Sequence, residues 1–306
     1  MKRIFRNGAL ISLALILMTF TGLSEVMKDE VIYARLSALG EVESVYVVNS
    51  FESPEISEGR DYGRYTEALP LTQAGDFSYE DGEAAFTMAP GRFYYQGIPE
   101  EARLPWEIMM RYTLDGADAM PEELSGATGE LGIHFEVNPL EEGAVYNQSL
   151  AMTATFTLPG ARCLDVRAPE ATIAYAGGDI TISYVILPGQ AASYAVTTDV
   201  QDFAMGGAQF AAVRMGVDAR MYEDMAAQAL EGTPFGAVAG SMMEQFLTGM
   251  RGQPVTSFMD GRNIVRSLQF VLLSEEIPVK QAEPAPTAVE EAPDTVWQRI
   301  LSLFGG

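Results

Sequence analysis

The sequence predicts a mainly β chain in two regions, interrupted by one helical insertion and ending in a short amphipathic helix. Three observations carry this. Apolar side chains recur at every second position over several stretches, the signature of half-buried strands. Pro-Gly, Gly-Gly and Asp-Gly pairs punctuate those stretches where turns are needed. Helical spacing of apolar residues is confined to residues 218–250 and 294–306.

Residues 1–24 read as a signal peptide. Lys2, Arg3 and Arg6 precede an apolar run from Ala9 to Leu23. The run is shorter than the roughly 20 residues a membrane span needs. Gly22 and Ser24 are the small residues expected just before a cleavage ahead of Glu25. An uncleaved N-terminal anchor is the alternative, and both readings export the body of the chain.

Residues 28–118 form the first β region, with strands expected at 31–36, 43–51, 84–88, 92–97 and 106–114. Residues 129–217 form the second, with strands at 131–137, 149–158, 163–166, 171–175, 180–187, 193–203 and 209–214. Leu150, Met152, Ala154, Phe156 and Leu158 alternate with small and hydroxyl residues, as do Ile180, Ile182, Tyr184 and Ile186. One apolar and one polar face per strand suits antiparallel sheets covered on one side. About seven short, evenly spaced strands predict an immunoglobulin-like sandwich in architecture. Gly177-Gly178 sits between two such strands as a hairpin turn.

Residues 218–277 are read as a helical hairpin followed by a β-hairpin. Met221, Met225, Ala229 and Leu230 share one helical face. Phe235, Val238, Met242, Phe246 and Met250 share another, with Thr233 and Pro234 opening that helix. Asp260-Gly261 is the expected turn of the β-hairpin, between strands at 255–259 and 263–275. Residues 278–293, rich in Pro, Ala and Glu, form an extended linker. Residues 294–306 form an amphipathic helix capped by Asp294. Trp297, Ile300, Leu301 and Phe304 lie on its one apolar face, at helical spacing. A helix this short is marginal alone in water, so this face is expected to dock on a partner protein or a membrane surface, the chain's own body being the alternative.

Composition narrows the function classes. The formal charge is −23, and residues 1–24 carry three basic and no acidic side chains, so a processed chain would carry −26. Such a chain repels nucleic acid, whose binding requires Lys and Arg to displace counterions. Cys163 is the sole cysteine and His134 the sole histidine. An intrachain disulfide and the usual zinc sites are thereby excluded. No cofactor is expected.

The segment Lys28–Ala34, with Gly40 and Val45–Phe51, resembles the start of a group of uncharacterised exported β-rich proteins of Gram-positive bacteria. Ala171–Ala174, Ala176-Gly177, Leu187–Gly189, Asp199-Val200 and Asp202-Phe203 carry the same resemblance. It implies export, brings no established activity or catalytic residue, and implies a membrane transport or secretion protein as neighbour.

Candidate chemistry is sparse. His134 alternates with Ile133 and Phe135 and is expected to face solvent on its strand. Cys163 forms a nucleophile pair only if His134 approaches it, and otherwise is a small buried hydrophobe. Phe93, Tyr94, Tyr95 and Trp106 near Glu100, Glu101 and Glu107 are a candidate sugar platform. Asp76, Glu80, Asp81 and Glu83, and Asp115 with Asp118, are candidate Ca²⁺ loops because hard carboxylate oxygens suit that ion. Neither has EF-hand spacing, and a solvated acidic loop is the plainer reading. Asn147 begins an Asn-Gln-Ser glycosylation motif.

The expected function is therefore a non-enzymatic, extracytoplasmic β-sandwich protein that binds or supports a protein partner at the bacterial cell envelope. The alternative is an exported carboxylate-dependent glycan hydrolase or carbohydrate-binding module.

Overall fold

The computed structural model describes residues 26–73, 75–101, 103–214 and 256–280. The signal segment, both helices of the expected hairpin, the linker beyond Lys280 and the C-terminal helix with Trp297, Ile300, Leu301 and Phe304 lie outside the described residues.

Strands β1 (Met27–Leu36) and β2 (Val42–Ser53) form an antiparallel hairpin. They are followed by β3 (Ser57–Tyr62), β4 (Tyr65–Pro70), β5 (Asp76–Glu80), β6 (Glu83–Met88), β7 (Gly91–Pro99), β8 (Trp106–Leu114) and β9 (Ala117–Ala119). The single turn α1 (Pro121–Leu124) leads to β10 (Gly129–Pro139), and α2 (Ala144–Asn147) to β11 (Ala151–Pro159). Then come β12 (Cys163–Arg167), β13 (Thr172–Ala176), β14 (Asp179–Ile186), β15 (Ala192–Val200), β16 (Gln209–Val213) and β17 (Ser267–Ser274).

The protein is mainly β. A nine-stranded sheet runs in the order β13-β14-β11-β16-β17-β1-β2-β7-β4. A five-stranded sheet, β12-β15-β10-β8-β9, and a three-stranded sheet, β3-β6-β5, complete the described residues. The nine-stranded sheet spans both predicted β regions. Its seam is a parallel pair in which Tyr33 of β1 lies opposite Val271 of β17. Strand β8, assigned from sequence to the first region, pairs with β10 of the second.

Strands β10 to β16 divide between two facing sheets. Phe135 of β10 meets Phe156 of β11 at 5.0 Å and Tyr184 of β14 at 5.2 Å, which fills the space between them. In an immunoglobulin domain the first strand pairs with the second, and the seventh with the sixth. Here the first, β10, lies beside the sixth, β15, while the seventh, β16, lies beside the second, β11. The strand order is therefore not that of an immunoglobulin domain. The reason is β17, which takes the far edge of β16 and draws it into the larger sheet.

The expected β-hairpin around Asp260-Gly261 is corrected too. Its first arm makes one isolated bridge, Thr256 to Ile264, and its second arm becomes β17, paired to β16 and β1. The apolar run of β17 is satisfied by the interior of a wide sheet, which a two-stranded ribbon cannot supply.

The strands β3, β4, β5 and β9 were not foreseen. Their charged residues, such as Glu58, Arg60 and Asp61, dilute the apolar alternation. The three-stranded sheet nevertheless packs an aromatic cluster against the larger one, with Phe86 of β6 at 4.6 Å from Phe51 and 4.7 Å from Phe93.

Candidate functional site

The outward face of the nine-stranded sheet carries an uncharged band. Along β1, the side chains of Lys28, Glu30, Ile32, Ala34 and Leu36 are buried, so Val31 and Tyr33 point the other way. The ladders extend this into a row. Val185, Thr153, Ala211, Val271, Tyr33 and Tyr46 lie successively opposite one another across β14, β11, β16, β17, β1 and β2. The Tyr33 and Tyr46 rings stack at 5.1 Å. The adjacent row is Ala151, Val213, Gln269, Val31, Val48, Gln96 and Leu69.

No side chain in either row carries a formal charge. Val185 is 60% exposed, Val213 41% and Leu69 50%. An antiparallel sheet with one solvated face ordinarily presents polar residues there. Charges return only at the margins. Arg266 binds Asp29 and Glu52 on one side, and Arg35 stands 3.9 Å from Glu43 on the other. An uncharged band that mixes aliphatic and aromatic side chains with Thr and Gln, and that is edged by charge, is a candidate interaction surface.

A second feature lies on the outer side of β8 and β10. The turn at 37–41, the loop around Leu140 and the 106–111 half of β8 enclose a groove of about 960 Å³. Gly40 makes the close approach possible. It has φ +96°, and a Cβ there would sit 2.3 Å from the Ile108 carbonyl oxygen. The Met110 N–H donates to the Leu39 carbonyl at 2.8 Å, which fixes the turn against the strand.

His134 lines this groove, opposite Arg111 on β8 and Ala195 on β15. It faces outward, as alternation required. Burial lowers its pKa below the usual 6.5, and the Arg111 guanidinium adds to the shift while Asp118 opposes it. Cys163 is buried, opposite Val200, and faces the interior of the sandwich. The five-stranded sheet thus separates the thiol from the imidazole, and the two form no nucleophilic pair. Burial pushes the Cys163 thiol up to about 11, although Arg162 pulls the other way.

The remaining sequence candidates are dispersed. Phe93, Tyr95 and Trp106 are buried in the core, so no sugar-stacking platform forms from them. The acidic segments are hairpin turns. Asp81-Gly82 joins β5 to β6 with φ values of +49° and +77°, and Asp115-Gly116 joins β8 to β9 with +52° and +82°. Two successive positive φ values define a type I′ turn, whose preferred sequence is Asp-Gly or Asn-Gly. That signal was present and would have located β5 and β9. The Asp115 carboxylate accepts the Glu130 N–H at 2.8 Å, a local bond that explains its position. Among the described residues no group of three His, Cys, Asp or Glu side chains is placed to hold a metal ion. Asn147 is buried, its amide donating to the Pro105 and Leu140 carbonyls, which withdraws it as a glycan acceptor.

A buried polar cluster escaped the sequence reading. Lys28 lies 2.6 Å from Glu30 and 2.5 Å from Asp61. Tyr95 donates to the other Asp61 oxygen, and Ser257 and the Phe258 N–H donate to Glu30. Asn49 donates to the Tyr65 hydroxyl, while its own carbonyl oxygen is buried without a hydrogen-bond partner. This cluster joins β1, β3, β7 and the segment after Thr256. Its carboxylates are sealed from solvent, so it holds elements together.

No family model matches the chain, and no curated protein matches it. Among solved structures, the yeast delta-COP-I mu-homology domain is similar to this chain, both alone and complexed with a Dsl1 WxWxV peptide. Each match is 13% identical with a TM-score of 0.35, covering 82% of this chain and 95% of that one. A two-domain M1 zinc metallopeptidase mutant bound to L-arginine matches with 14% identity and a TM-score of 0.17, covering 57% of this chain and 42% of that one. Likenesses at these scores carry no functional argument.

Proposed function

We propose that this chain is a non-enzymatic, extracytoplasmic protein built on a sandwich that is immunoglobulin-like in architecture but not in strand order, which binds a protein partner at the bacterial cell envelope. The observation that carries the reading is the charge-free outward face of the nine-stranded sheet, from Val185 through Tyr33 to Tyr46. On a chain of net charge −23, this band offers an uncharged, largely apolar contact free of like-charge repulsion. Its aromatic and aliphatic side chains provide area for recognition. The N-terminal segment supports export. The C-terminal segment bearing Trp297, Ile300, Leu301 and Phe304 supplies a second, tethered docking element for the partner or the adjacent membrane surface.

The test is cross-linking in intact envelopes, with quantification of one reproducibly captured protein. Val185→Asp combined with Leu273→Asp should abolish that capture while the melting temperature stays near that of the parent. Leu273, two residues after Val271 on β17, faces the same way, and both mutated positions are more than half exposed, which makes the fold tolerant of the change. Undiminished capture by the folded double variant would refute the reading.

A further inference from the structure

The groove along β8 is independent of the outward sheet face and has its own chemical character. Apolar side chains remain open to solvent within it: Val42 is 48% exposed, Met109 42% and Leu140 40%. Its volume of about 960 Å³ accommodates several side chains of an extended peptide. The turn at 37–41 is clamped to β8 by the bond from Met110 to Leu39, so the groove is largely preformed.

Charge decides what suits it. Two arginines line the groove or its margin, and both are neutralised. Arg103 binds Glu142 at 2.9 Å, and Arg111 binds Asp118 at 2.8 Å. Three further carboxylates, Glu41, Glu107 and Glu136, also line it, and none forms an ion pair among the described residues. Glu136 lies opposite Met109 on the neighbouring strand, and Glu107 is two residues from Met109 on its own. The exposed thioether is therefore flanked by two uncompensated carboxylates. Successive outward positions of an extended chain are spaced by about 6.5–7 Å, a spacing comparable to that of such diagonal neighbours.

We propose that the β8 groove binds an extended cationic peptide, with Lys or Arg side chains directed at Glu107, Glu136 and Glu41 and an apolar side chain seated on Met109 and Val42. The peptide needs cations to match carboxylates that form no ion pair of their own. It also needs an apolar residue on the same face, two positions from a cation, because the floor is apolar and exposed. A neutral segment leaves the carboxylates unmatched and an acidic one is repelled, while the acidity of the whole chain favours encounter with cationic segments. This inference does not depend on the outward sheet face.

The experiment uses the full chain and a labelled Lys-Ser-Leu-Ser-Lys peptide, whose two Lys and one Leu share a face when extended, with binding read by fluorescence anisotropy at low and physiological salt. Saturable binding is expected. Glu107→Gln with Glu136→Gln should weaken it about tenfold, and Met109→Ser should weaken it without altering charge. Glu58→Gln with Glu80→Gln, which removes two charges on the three-stranded sheet, should leave it unchanged. So should Val185→Asp with Leu273→Asp, whose effect on envelope capture reports separately on the sheet face. Should the glutamine pair fail to fold, Glu41→Gln on the turn reads the same contact. Equal weakening by the groove and control pairs would reduce the binding to general acidity and overturn the proposal. Equal affinity for a Lys-Ser-Ser-Ser-Lys peptide, or no saturable binding, would overturn it as well.

Discussion

The ammonium of Lys28 lies 2.5 Å from the carboxylate of Asp61, and both side chains are sealed from solvent. Thirty-three residues separate them, and the contact joins the nine-stranded sheet to the three-stranded one. The pair is part of a larger imbalance. One ammonium faces two carboxylates, Glu30 and Asp61, with Tyr95 donating to the latter.

Removing the shared cation should therefore be costly. Lys28→Met leaves two buried carboxylates facing each other, and the expected loss is about 3–5 kcal/mol, read by urea denaturation. A loss below about 1 kcal/mol would show that the cluster is hydrated or already neutral. Burial, the largest cause, raises the Asp61 pKa above 3.8, against the attraction of Lys28. The folded state thus holds the Asp61 proton more tightly than the unfolded chain. This contribution favours folding below pH 3.8 and is lost as pH rises through the raised folded value. Relative to Asp61→Asn, the parent should lose stability across that interval and change no further above it.

The two faces of β17 should respond differently to truncation. Phe270 is fully buried, in edge contact with Trp106 at 5.4 Å and Phe258 at 5.4 Å. Phe270→Ala should cost about 3–5 kcal/mol. Val271 points to the apolar outward face and is half-buried. Val271→Ala should cost about 1 kcal/mol or less. Equal costs in thermal denaturation would mean that the outward face is as enclosed as the core.

Cys163 should be chemically silent. Its thiol is buried and titrates near 11, so little thiolate exists at neutral pH. Alkylation with iodoacetamide at about pH 8 should be undetectable in the native protein and complete in denaturant. Stoichiometric labelling of the native state would contradict the burial. Cys163→Ala should cost roughly 1 kcal/mol through the small void it leaves.

His134 offers a direct reading of the groove. Burial and then Arg111 lower its pKa, so its proton NMR titration should have a midpoint below 6.5. The folded state then binds this proton less readily than the unfolded chain. Stability should rise with pH from the folded midpoint to 6.5, and His134→Gln should remove that segment of the profile. A midpoint above 6.5 would place His134 nearer to Asp118 or another carboxylate than to Arg111.

Several elements were legible in the sequence because their information is local. The alternation of Met152, Ala154, Phe156 and Leu158 with threonines located β11 and its buried face, and Gly177-Gly178 marked the β13–β14 turn. Asp81-Gly82 and Asp115-Gly116 carried turn signals of the same kind, obscured by their acidity. Charge, the single histidine and the single cysteine were likewise determined by sequence alone. Pairing between distant strands was not. Asp29 meets Ser267 across 238 residues, and this parallel seam is what fuses two apparent β regions into one sheet. Alternation says that a strand has two faces, but in β1, β2 and β17 both faces carry apolar residues, such as Ile32 and Tyr33, Val47 and Val48, and Phe270 and Val271. Only the tertiary structure decides which side is covered, because burial depends on what the rest of the chain brings against it. The groove has the same origin: Glu41, Glu107 and Glu136 come from three segments, and the fold alone sets them around Met109.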